Sequence, residues 1–154
     1  MDPACSPRES PYRARMSDLI TPGTRWLITF ATLAYGVGPF IIDMNRTHLV
    51  HPAWPGHARF HLLWSAISQL AVAGLALWLV WGNTGDARWH CRLAVLIGLA
   101  MNSGFWGALI FKRAYHGTLH DPKGIPPLGG KVDGNLIAVI IITGLLLVAG
   151  WRTF

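Results

Sequence analysis

The chain has 154 residues, of which 52% are apolar and 13% charged, and a net charge of +6. That length accommodates one domain. The positive charge does not make a nucleic-acid binder: the basic residues sit at the ends of apolar runs, where snorkelling to lipid phosphate accounts for them, and no basic stripe with interleaved aromatics exists.

No Asp, Glu, Lys or Arg occurs from Trp26 to Ile42, from Phe60 to Gly85, from Leu93 to Phe111 or from Gly134 to Trp151. A helix needs roughly 20 apolar residues to cross hydrocarbon, and each of these runs is long enough. Only helices and closed barrels satisfy the backbone in lipid, and the runs lack the period of two that a strand requires. The expected fold class is all-α: an integral membrane four-helix transmembrane bundle with both termini on the same side.

Residues 1–20 read as a short disordered basic tail, with Arg8, Arg13 and Arg15 among Pro3, Pro7 and Pro11, and no apolar core of the length a cleavable signal peptide needs. Residues 21–154 form the transmembrane domain. The first helix is expected at about 24–42, started by Thr21 and Pro22. Gly36, Gly38 and Pro39 fall near its far end, where proline frees a backbone carbonyl. A stiff loop follows, with Pro52 and Pro55 bracketing Trp54, a residue suited to the headgroup zone. The second helix is expected at 57–81, with Trp78 and Trp81 as belt residues near its end, and the third at 89–111. Met101, Asn102, Ser103 and Gly104 form the middle of the third helix, and Lys112, Arg113, Tyr115 and His116 follow it. An irregular loop rich in Pro and Gly leads to the fourth helix, at 134–151, with Asp133 as N-cap. Cys5 and Cys91 show no C-x-x-C spacing and read as two lone thiols.

Four spans send His48, His51, His57, His61, His116 and His120 to one face and only His90 to the other. Asp43, Asp121 and Asp133 join the histidine-rich face. Basic residues divide nearly evenly between the faces. The Arg-rich N-terminal segment favours the termini in the cytoplasm, and the expected location is the cytoplasmic (inner) membrane of a bacterium.

His57 and His61 are spaced i, i+4 and share one face of a helix, a turn apart; His116 and His120 have the same spacing. The four make a candidate nitrogen site for zinc, copper or iron, with Asp43 or Asp133 as a carboxylate ligand, or supply axial ligands to haem. A second reading of this face is a polar site for an organic molecule or lipid headgroup, formed by Asp43, Arg46, His48, Trp54, Arg59, Asn102 and Asp133. A third is a structural network at the membrane interface. Asp43 is expected to pair with Arg46 or Arg59, because an unpaired arginine entering a membrane is costly. Asn102, with Gly98, Gly104 and Gly107, either packs helices together or lines a cavity continuing the polar face; Gln69 and Thr143 are its candidate partners. There is no G-x-S-x-G, H-E-x-x-H or phosphate-binding glycine loop.

The run from Thr47 to His61 resembles the signature of a family of small four-helix membrane proteins, roughly T-H followed by P-x-W-P-x-H-A-R-F-H. It matches at Thr47, His48, Pro52, Trp54, Pro55, His57, Ala58, Arg59, Phe60 and His61. The resemblance implies that these residues act as a unit and transfers no activity. A looser likeness, on helix count and polar residues within the bundle, is to the emopamil-binding class; the paired acidic residues expected there for sterol isomerisation have no counterpart here.

Three functions fit this pattern. One is a binder of a lipophilic ligand or cofactor, or an accessory subunit of a larger membrane complex. Another is a metal-dependent enzyme acting on a lipophilic substrate, with His57 and His61 as ligands. The last is a proton or solute transport component, which requires oligomers. The expected partners are the lipid bilayer, a lipophilic small molecule, and membrane-complex subunits or further copies of the chain.

Overall fold

The computed structural model describes residues 20–82, 85–120, 127, 129–130 and 132–154. The expected basic tail up to residue 19, with Cys5, and also Asp121 lie outside the described residues. Four helices make up the described chain: α1 (Pro22–Asp43), α2 (Gly56–Trp81), α3 (Ala87–Phe111) and α4 (Gly134–Thr153). All four are long and apolar enough to cross a membrane, and they extend up to two residues past the ends expected from sequence.

The helix starts follow from their capping residues. Thr21 accepts at its hydroxyl from Thr24 N, and Pro22 occupies the first turn, where its missing N–H costs nothing. Asp86 accepts from Arg88 N at 2.8 Å and Trp89 N at 3.1 Å. The Trp89 N–H first, then that of Arg88, hold this exposed carboxyl below the usual carboxylate range. Asp133 accepts from Asn135 N at 2.8 Å and Leu136 N at 3.3 Å.

Packing runs around the bundle, α1 on α2, α2 on α3, α3 on α4 and α4 on α1, with α1 and α3 meeting across the diagonal. Small residues make the close approaches. A Cβ on Gly36 would overlap that of Ala73, and one on Gly98 would stand 2.8 Å from Leu146 and 3.1 Å from the Tyr35 ring. Ile28, Ala76, Val80, Cys91, Val95 and Ala149 fill one buried cluster, while Ala31, Tyr35, Ala73, Ile142 and Leu146 fill the next. Cys91 is a free, buried thiol.

Polar ties close one end of the bundle. Arg25 Nη1 donates to Val80 O at 3.0 Å, Trp81 Nε1 to Thr29 Oγ1 at 2.9 Å, and Arg92 Nε to Thr153 O at 2.6 Å. The Arg25 and Arg92 guanidinium groups also lie over the rings of Trp81 and Phe154. Large apolar side chains, among them Phe30, Trp64, Ile110 and Trp151, face outward, as they do where the surrounding solvent is hydrocarbon.

The seam between helices yields a direct test. Gly36→Val and Gly98→Val each lower stability by about 1–3 kcal/mol through overpacking, read as a reduced melting temperature in detergent. Gly104→Ala adds a methyl group that meets nothing and leaves the melting temperature unchanged or slightly higher.

Candidate functional site

The other end of the bundle is open. Beyond Tyr35 and Asn102, helices α1, α3 and α4 line a cavity of about 520 Å³, within the range of small-molecule sites. Its walls are apolar: Pro39 and Ile42 of α1, Phe105, Ala108 and Leu109 of α3, Ala138 and Val139 of α4. Tyr35, Gln69 and Asn102 stand at its floor, and Asp43, His48, Lys112, Tyr115 and Asn135 at its mouth. Eight residues of α1 separate Tyr35 from Asp43, so at 1.5 Å per residue the floor lies about 12 Å below the mouth.

The loop after α1 shapes the mouth. Asn45 Oδ1 accepts from Thr47 N at 2.7 Å and from Thr47 Oγ1 at 2.6 Å, a local turn that folds the chain back over the helix end. Leu49 N then donates to Asp43 O. Thr47 Oγ1, its proton given to Asn45, accepts from His48 Nδ1 at 2.8 Å. His48 Nε2 thereby turns toward Asp43 Oδ1, 3.9 Å away.

This arrangement replaces the ion pair expected between Asp43 and Arg46 or Arg59. The turn at Asn45 brings His48, not an arginine, over Asp43. Arg46 lies on the exposed outer side of the loop. Arg59, one turn into α2, sends Nη2 to His51 O at 2.9 Å and ties the loop to the helix instead. His51 is buried, and its Nδ1 accepts from Ala53 N at 3.2 Å, which places the proton of the neutral ring on Nε2. Trp54 packs against both His48 and His51. His51 was legible only as one histidine of the cluster; the proline pair that bends the loop around it was the available signal.

His57 and His61 meet as the i, i+4 spacing requires, with their Nε2 atoms 3.0 Å apart on the exposed surface of α2. His116 and His120 do not repeat this geometry. Helix α3 ends at Phe111, and His116 adopts a left-handed φ of 55°, so the two are not on a common helical face. Among the described residues no three His, Cys, Asp or Glu side chains converge as metal ligands, so the expected four-histidine set is not assembled there. Asp133 spends its carboxylate on the N-terminus of α4.

Asn102 is buried, and its Nδ2 donates to Gly98 O at 2.8 Å. It lines the cavity together with Gln69, whereas Thr143 accepts from Trp106 Nε1 at 3.2 Å. Sequence reasoning missed Tyr35, Lys112, Tyr115 and Asn135 as cavity residues. Tyr35 had a signal: it lies four residues before Pro39, which has no N–H to give the Tyr35 carbonyl. Lys112 is the first charge after the third apolar run.

The loop tether predicts a local effect. Arg59→Leu removes the charged donor to His51 O, a bond of about 1.5–3 kcal/mol, and loosens residues 44–55 ahead of the bundle. Limited proteolysis in detergent cuts this loop faster in the variant, with the helices still protected; an unchanged cleavage rate refutes the tether.

No curated protein and no solved structure matches this chain. One family model does, over residues 27–149, a span that takes in all but the outer turns of the bundle and includes the loop and cavity. The chain therefore belongs to that family, described as a family of unknown function (DUF6640).

Proposed function

We propose that this chain spans the membrane four times and binds a lipophilic small molecule in the cavity between α1, α3 and α4. The observation that carries this reading is the cavity itself: about 520 Å³, apolar along its walls and polar at both ends. Such a site suits a molecule with an apolar body and a few placed polar groups. The Asp43–His48 pair and Lys112 at the mouth supply charge of both signs to a head group near the membrane surface.

Four spans put both termini on one side, and the Arg-rich segment before α1 supports the cytoplasm as that side. The cavity then opens toward the opposite face. The small side chains on the cavity wall support binding over simple helix packing. An added Cβ at Gly38 or Gly104 meets no atom within 4 Å, so these glycines hold space open and do not draw helices together.

Organic extraction of the purified protein, followed by mass spectrometry, tests the reading. The wild-type chain carries a lipophile at near-stoichiometric level above the background of bulk lipid. Gly104→Leu, which fills the cavity from a wall position, loses it while keeping the melting temperature. Identical extracts from both proteins overturn the proposal.

A further inference from the structure

The floor of the cavity specifies the end of the ligand that enters first. Tyr35 is only 6% exposed, and its hydroxyl is buried without a hydrogen-bond partner. The Thr32 hydroxyl is a neighbour of the phenol, but it too lacks a partner in hydrogen-bonding geometry. Gln69, midway along α2, lines the same floor and makes no hydrogen bond among the described residues. Asn102 commits its Nδ2 to Gly98 O, which leaves Oδ1 as an open acceptor.

An orphaned polar group away from water costs free energy comparable to a lost hydrogen bond. The orphaned Tyr35 hydroxyl, with Gln69 and Asn102 lining the same cavity, is not explained by helix packing, since the nearby packing contacts run through Gly98, Leu146 and Ala73. An acyl chain inserted tail-first leaves the Tyr35 hydroxyl unsatisfied. A ligand whose leading end carries a carbonyl or hydroxyl oxygen satisfies it: Tyr35 Oη donates to that oxygen, the Gln69 carboxamide offers a second donor, and a hydroxyl in turn donates to Asn102 Oδ1.

We infer that the ligand is an oxygen-tipped lipophile, a ketone, quinone or alcohol, that enters oxygen-first and hydrogen-bonds Tyr35 and Gln69 at the cavity floor. This rests on the cavity reading above and adds the chemistry and direction of the bound molecule. The apolar body then lies along Pro39, Phe105 and Val139, and its other end reaches Lys112 and His48.

A matched pair of probes separates this inference from the reading it rests on. Menadione, a methylnaphthoquinone, and methylnaphthalene share a ring system and differ in two carbonyl oxygens. Their saturable binding is measured by equilibrium dialysis of the full chain in nanodiscs against empty nanodiscs. One hydrogen bond formed in a water-poor site corresponds to about a tenfold change in affinity. Menadione is expected to bind about tenfold tighter than methylnaphthalene. Tyr35→Phe weakens menadione by that factor and leaves methylnaphthalene unchanged, and Gly104→Leu abolishes both. If both probes bind equally, Tyr35→Phe changes neither and Gly104→Leu still blocks both, the oxygen-first inference falls and the cavity reading stands. Saturable binding of neither probe overturns both. Gln69→Leu repeats the test on a second donor, which keeps it decisive if Tyr35→Phe does not fold.

Discussion

The close approach of α1 and α3 across the bundle diagonal determines where this molecule is solid and where it is hollow. Gly98 lets the ring of Tyr35 lie against the backbone of α3, and Gly36 lets α1 settle on Ala73 of α2. On one side of this seam the helices are filled by Ile28, Val80, Val95 and Ala149 and laced by arginine to backbone carbonyls. On the other side the same helices carry Gly38, Gly104, Ala108 and Ala138, which do not fill the space between them. Glycine thus serves two opposite ends within one helix: contact at Gly98 and vacancy at Gly104, only six residues apart.

The helices were legible because their signal is additive. Four charge-free runs of the right length leave little freedom, and Thr21, Pro22 and Asp133 mark two of the starts with ordinary capping chemistry. The local pairing of His57 and His61 was also legible, since it depends only on helical spacing. The relation of His116 to His120 was not: an i, i+4 spacing brings two side chains together only on a helix, and α3 ends at Phe111, before either of them. The Asp43 partner was misread for a similar reason. Charge complementarity favoured an arginine, but a two-residue side-chain turn at Asn45 decided which group stands over Asp43. Long-range chemistry set by short loops is the least readable part of a membrane-length sequence.

Residues of the loop and residues of the cavity belong to one construction. Pro52 and Pro55 limit the conformations of the loop, His51 is buried beneath it, and Arg59 fastens it to α2 through a backbone carbonyl. With the loop fixed, Asn45 and Thr47 hold His48 at the rim. The run from Thr47 to His61 is thus chiefly a scaffold for the rim, of which His48 is the member that lines the cavity.

The floor poses a physical choice between water and an organic oxygen. Water can satisfy Tyr35, Gln69 and Asn102 only if it is stable there, and stability requires two to four polar partners for each molecule. The floor offers such partners, but the apolar walls above it do not, so a water column reaching the mouth is disfavoured over most of its length. A lone buried water at the floor leaves the rest of a cavity of about 520 Å³ unfilled, with the loss of dispersion contacts that an empty apolar space entails. A molecule with an oxygen at its tip and an apolar body satisfies the floor and fills the walls at once. On the proposed reading, the spacing of polar and apolar residues along α1 and α3 suits an amphiphile of that design better than either water or a plain hydrocarbon chain.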